Sequence, residues 1–146
     1  MNLPVGIRVI VFVACHTVGT AMATEIVGTV GRVVDGDTLY VCDERLCEKI
    51  RICGINAPEL SDRRGKEARA ALVSIVNDKH VHCAPVGEGT VCDGRSKRIS
   101  RDRIVAQCFI GKYDVAEMLV ERGYACDWVK FSGGHYSRGN QDNRCH

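Results

Sequence analysis

The sequence predicts a small five-stranded β-barrel with helices, stapled by disulfides. Three observations point there. Runs of β-branched residues separated by turn signals extend from Glu25 to Cys53, one amphipathic helical stretch follows the third run, and a short chain carries nine cysteines.

The first run, Ile26 to Val34, is rich in valine, isoleucine and threonine, which suit a pleated strand. Asp35-Gly36 is a strong turn signal, and Thr38 to Cys42 reads as the next strand. Asp43-Glu44-Arg45 makes a polar turn before a third strand, Lys49 to Cys53. Ala68, Leu72, Ile75 and Val76 then fall at i, i+4, i+7 and i+8, lining one face of a helix from about Gly65 to Asn77. His80 to Cys83 alternates like a strand, and Ile104 to Ile110 is another. After the Gly111-Lys112 turn, Asp114 and Glu117 have capping-box spacing. Val115, Met118 and Leu119 give the following helix an apolar face, and Gly123 suits its C-terminal cap. Three strands, a helix, two strands and a helix is the order of the OB-fold, a five-stranded Greek-key barrel with two or three helices. A generic α+β sheet is the alternative.

Residues 1–23 read as a secretory signal peptide. Arg8 precedes a short apolar run, and Ala21-Met22-Ala23 forms an A-x-A cleavage site. The run is too short, and too interrupted by His16 and Thr17, for a membrane span. A lipidation box around Cys15 fits less well, because Phe12 is wrong for it. Cleavage leaves one domain over 24–131 and a polar tail over 132–146, mobile unless Cys145 ties it down. Eight cysteines remain (Cys42, Cys47, Cys53, Cys83, Cys92, Cys108, Cys126, Cys145), an even number that reads as disulfides in an exported small domain. A bridge across the Cys42–Cys47 turn is plausible and the other pairings are open. The lack of C-x-x-C pairs argues against a structural zinc site. The expected destination is the periplasm or the medium, with no stable membrane partner and a monomeric state.

Global charge is nearly balanced, so local clusters carry the information. Arg95, Lys97, Arg98, Arg101 and Arg103 form one basic group, and Arg63, Arg64, Lys66 and Arg69 another. Two such groups suit a polyanion, or simply a solvated surface. Aromatics are only 5% of the sequence, so platforms for base stacking are scarce.

Four polar residues resist explanation as scaffold. Asp37 follows the Asp35-Gly36 turn, Arg51 sits in an otherwise apolar strand, Glu59 follows Pro58, and Arg103 opens the strand Ile104-Val105-Ala106. With Val33 to Leu39, Ile50 to Glu59, Gly65 with Ala68, Arg103 to Ala106, and Asp114 to Ala125, the chain resembles the staphylococcal nuclease family across nearly all of Ile26 to Trp128. The resemblance implies that Asp37 binds calcium, that Asn56 supplies a second side-chain ligand, and that Ala57 offers its backbone carbonyl. It further implies that Glu59 acts on the attacking water, and that Arg51 and Arg103 bind the scissile phosphate. The chemistry suits these residue types. Paired guanidinium donors grip phosphoryl oxygens more strongly as negative charge builds there. A carboxylate takes a proton from water.

Two departures stand out. Asn56 replaces the family's usual aspartate, which removes a charge and predicts weak metal binding. The family usually reads Asp-Arg-Tyr-Gly-Arg before the second arginine, whereas this chain reads Ile99-Ser100-Arg101-Asp102-Arg103, so Arg101 competes with Arg103 for the role. The expected function is therefore a calcium-dependent nuclease acting on single-stranded or flexible DNA or RNA. The alternative is a nucleic-acid-binding OB module that lost cleavage through Asn56. A disulfide-stapled protein with a protein partner is a third class.

Overall fold

The computed structural model describes residues 25–146, so the signal peptide expected over 1–23 lies outside the described residues. β1 (Ile26–Val33), β2 (Thr38–Cys42) and β3 (Cys47–Ile52) form an antiparallel meander. A two-residue β4 (Ile55–Asn56) and helix α1 (Arg63–Val76) follow. Then come β5 (His80–Pro85), β6 (Ile99–Ser100), β7 (Arg103–Ile110), β8 (Tyr113–Asp114) and helix α2 (Val115–Glu121). β9 (Cys126–Asp127), a short helix α3 (Val129–Ser132) and a 3-10 turn at Gln141–Asn143 complete the chain.

The barrel closes through β7. β5 pairs antiparallel with β1 and with β7, and β7 returns to pair parallel with β3. This is the five-stranded mixed OB barrel that the element order predicts. Closure leaves the five long strands without a free edge. A register irregularity between Val30 and Arg32 bends β1 as it enters the Asp35-Gly36 turn.

Apolar side chains fill the interior. Leu39, Ile50, Ile52, Ile55, Leu72 and Leu119 are fully buried, and so are Val81, Cys83 and Cys108. α1 buries Ala68, Leu72, Ile75 and Val76, the face its periodicity predicts. Its N-cap is Asp62, which accepts the Gly65 N–H at 2.7 Å. Asp114 caps α2 by accepting from Ala116 and Glu117, half of the expected capping box.

All eight described cysteines are paired: Cys42–Cys47, Cys53–Cys92, Cys83–Cys108 and Cys126–Cys145. Four bridges fit an oxidising, exported environment. Among the described residues no helix is long and apolar enough to cross a membrane.

The segment 132–146, set apart above as a polar tail, packs into the domain. Cys145 is bridged to Cys126, and Tyr136 is 2% exposed within the main core. Space for the Tyr136 ring comes from Gly54, where an added Cβ would lie 2.8 Å from Tyr136 Cε2. Its hydroxyl donates to Asp114 Oδ2 at 3.2 Å. Asp127 is also wholly buried and accepts from Ser132 Oγ and from the Ser137 N–H. Apolar contact and satisfied polar groups thus hold a stretch whose composition alone reads as solvated.

Candidate active site

The turn between β1 and β2 sets the first group. Val34 N–H bonds Thr38 O at 2.8 Å, and Asp35 Oδ1 accepts the Asp37 N–H at 3.0 Å. Gly36 makes this turn approach its neighbours closely. A Cβ there would sit 2.6 Å from Ala57 Cβ and 2.7 Å from Ala68 Cβ, so only glycine lets the turn press onto the loop after β4 and onto α1. That approach carries Asp37 to Ala57, whose N–H donates to Asp37 Oδ2 at 3.0 Å.

Strand register supplies the arginines. Thr38 lies opposite Arg51, and Arg51 opposite Val105, so β2, β3 and β7 meet where Arg103 enters. Arg51 Nη2 lies 3.1 Å from Asp37 Oδ2, and the guanidinium also donates to the carbonyls of Ile52 and Ile55. Thr38 Oγ1 donates to Asp37 Oδ1 at 3.1 Å and accepts from Arg103 Nη1 at 3.1 Å. One hydroxyl therefore links the carboxylate to the second arginine. Among the described residues Arg103 Nε is buried with no hydrogen-bond partner, a donor that is costly unless an anion or water meets it.

Burial decides the electrostatics. It pushes the Asp37 carboxyl above the usual carboxylate range, although Arg51 and the Ala57 N–H pull it down. Burial likewise lowers Arg51, against the support of Asp37, and Arg103 lowers it further. Glu59 and Asp35 act on Arg51 in the opposite sense, so all of these charges share one neighbourhood.

They surround a cavity of about 380 Å³. Asp37, Arg51, Asn56, Ala57, Glu59 and Arg103 all line it, and so does Arg101. The candidate metal, phosphate and general-base residues are thus brought to one concavity, whereas Arg63, Arg64, Lys66, Arg69, Arg95, Lys97 and Arg98 do not line it. Arg101 and Arg103 differ in placement: Arg103 is half-buried and bonded to Thr38, whereas Arg101 is exposed in the β6–β7 turn with φ +58°. Lys49 fixes that turn by bonding Asp102 at 2.6 Å.

The Glu59 loop rests on α1 through a second glycine. A Cβ at Gly65 would lie 1.8 Å from the Glu59 carbonyl oxygen and 2.8 Å from Leu60 N. Alanine in a helix interior normally stabilises by about 1 kcal/mol over glycine. Gly65→Ala is expected to do the opposite, lowering stability by about 1–3 kcal/mol through overpacking and displacing the Glu59 loop. Thermal melts of the variant test this, and a rise in melting temperature would contradict the contact.

A family model described as staphylococcal nuclease homologue matches residues 49–142. The chain belongs to the staphylococcal nuclease family. Asp37 lies before the matched stretch, so its place in a staphylococcal nuclease site rests on the contacts above. Over 75 residues the chain is 33% identical to Protein ParB of Escherichia coli, covering 51% of this chain and 42% of that protein. Over 60 residues it is 38% identical to an uncharacterized endonuclease of Escherichia coli O157:H7, covering 41% of this chain and 39% of that protein. The chain spans about two fifths of the length of these curated relatives.

The cavity also holds groups that the sequence did not flag. Thr38 lies within the recognised motif, but its linking role needs β2 and β7 together. Asp35 reaches the cavity beside Asp37. Trp128 and Phe131 also line it, as an edge-to-face pair with centroids 4.7 Å apart. Trp128 caps α3 directly after β9 and Phe131 lies within α3, elements too short to leave a periodic signal.

The residues that the resemblance names as ligands offer only oxygen: the Asp37 carboxylate, the Asn56 amide and the Ala57 carbonyl, all lining this cavity. That chemistry fits a hard cation such as calcium and not zinc. Among the described residues no three His, Cys, Asp or Glu side chains converge as a metal-binding cluster. A cation held there would need neutral oxygens for the rest of its coordination.

Proposed function

We propose that this staphylococcal nuclease homologue is an exported, calcium-dependent nuclease that hydrolyses phosphodiester bonds in single-stranded or flexible DNA or RNA. The observation that carries the reading is the convergence of Arg51, Arg103, Asp37 and Glu59 on one cavity.

Arg51 and Arg103 bind the scissile phosphate, exchanging carbonyl and hydroxyl partners for phosphoryl oxygens. Their donors are held by β3 and β7 before substrate arrives, so little reorganisation accompanies the build-up of charge. The Arg103 Nε offers a further donor. Glu59, exposed at the cavity rim, takes the proton of the attacking water. Asp37, Asn56 and the Ala57 carbonyl would hold calcium, which supplies charge neutralisation at a phosphoryl oxygen. Trp128 and Phe131 present ring surface where a base can stack, a contact worth about 1–3 kcal/mol per base. A cavity of about 380 Å³ suits a single nucleotide of a flexible strand. The protein acts as a monomer, and its destination is the periplasm or the medium.

Calcium-titrated cleavage of single-stranded DNA and RNA tests this. The wild-type protein should release fragments, and chelation should stop it. Glu59→Gln should lower the rate by about 10²–10⁴. Asn56→Asp should restore ligand charge and lower the calcium needed for half-maximal rate by on the order of tenfold. Calcium should also raise the melting temperature more at neutral than at acidic pH, because the ligand is ionised Asp37. If cleavage never appears but salt-sensitive gel shifts do, the alternative reading gains: an OB module silenced at Asn56, testable by the same Asn56→Asp variant.

A further inference from the structure

A second cavity of about 350 Å³ adjoins the first. Both are lined by Asn56, Ala57 and Pro58, so one short loop forms the wall between them. Its other walls come from the first turn of α1, the C-terminal end of α2, and the chain around the Cys126–Cys145 bridge. Arg64 and Arg144 both line it, from different segments of the chain, and Tyr124 supplies a half-exposed ring, 37% accessible.

The state of the two arginines is informative. Arg63 is taken up by Glu67 at 2.9 Å, whereas Arg64 has no carboxylate within ion-pair range among the described residues. Arg144 is braced rather than neutralised: its Nε donates to Ser137 Oγ at 3.4 Å and its Nη1 to Gln141 Oε1 at 3.1 Å. Asp142 is the one acidic side chain among the lining residues. Two guanidinium groups without a carboxylate in ion-pair range among the described residues therefore line one cavity, and an aromatic ring lies next to them.

We propose that this second cavity is a subsite for a flanking phosphodiester of the same single strand, bound by Arg64 and Arg144 with its base against Tyr124. The inference rests on the nuclease reading above. A strand whose scissile phosphate lies between Arg51 and Arg103 passes over Pro58 into the second cavity. The subsite makes the protein selective for polymeric over very short substrates, because a dinucleotide fills the first cavity alone. The Cys126–Cys145 bridge sets the subsite by holding the Arg144 segment against β9, where Cys145 N–H bonds Asp127 O at 2.9 Å.

The test compares a single strand of roughly a dozen nucleotides with a dinucleotide, at several salt concentrations. Arg64→Ala should raise KM for the long strand about three- to tenfold with kcat unchanged, and leave dinucleotide cleavage as in wild type. Arg64→Ala with Arg144→Ala should raise it further and shrink the salt slope by roughly 0.7 for each phosphate no longer neutralised. Equal losses on both substrates, or an unaltered KM and salt slope, overturn the subsite. Should wild type cleave neither substrate, the nuclease reading fails. Fluorescence binding of the long strand then still decides the subsite: weaker binding by Arg64→Ala supports it, and unchanged affinity overturns it.

Discussion

Arg51→Ala is expected to lower cleavage by at least about 10²–10³, the usual cost of removing one preorganised donor to a developing oxyanion. The expected loss extends to stability. Arg51 and Asp37 are a largely buried pair, with side chains 12% and 9% exposed, and deleting one member of such a pair typically costs about 3–5 kcal/mol. Burial already raises the Asp37 carboxyl, and losing Arg51 removes the strongest influence that lowers it. A carboxyl whose folded-state pKa lies above its unfolded value adds stability below the unfolded pKa, and that stability is lost as pH rises through the folded value. The damage in Arg51→Ala should therefore be largest near neutral pH, shrink as pH falls through the raised folded value, and be smallest below the ordinary carboxylate range. Urea denaturation at both pH values measures this. Arg51→Lys keeps a charge near Asp37 but loses the forked donors that would grip the phosphate, so it should recover stability better than rate. Equal recovery of both would mean that charge alone, not geometry, is what Arg51 contributes.

Much of the barrel was legible because its signals are local. The run from Ile26 to Val34, the Asp35-Gly36 turn and the α1 face at Ala68, Leu72, Ile75 and Val76 each show within a few residues. The site was legible for a related reason: Arg51 in an apolar strand and Asp37 after a tight turn conflict with their surroundings. What escaped depends on residues far apart in sequence. β4 and β9 are two residues each and exist only because Ile55 meets Asp127 and Asn56 meets Cys126. Tyr136 lies in a polar stretch, and its burial depends on the open space at Gly54. The Cys42–Cys47 bridge follows from one hairpin, whereas the other three join residues 19 to 39 positions apart, which spacing cannot rank. Thr38 shows the same limit within the site: its place in the motif is visible, but its bond to Arg103 crosses from β2 to β7.

Cys53→Ala with Cys92→Ala is expected to destabilise the fold by about 4 kcal/mol, the chain-entropy value for a loop of this length. The separation is 39 residues, the longest of the four bridges. Both sulfurs are buried in a small satellite cluster with Val86 and Val105, so the substitution also leaves a cavity. Function should change in a specific way. Cys53 follows directly on β3, and Cys92 anchors the loop that carries Ser96 to the cavity wall. Arg95 in that loop packs on Gly133 at the end of α3, within 2.9 Å of where a Cβ would sit. Freeing the loop loosens the wall that faces substrate, while pairing of β3 with β2 and β7 still holds Arg51 beside Asp37. KM should rise while kcat stays near wild type. Cys42→Ala with Cys47→Ala is the control. It closes only a hairpin five residues apart, its cysteines do not line the cavity, and it should cost about 2 kcal/mol and leave KM unaltered. A matching rise in KM for both pairs would show that overall destabilisation, not release of the Ser96 loop, governs substrate binding.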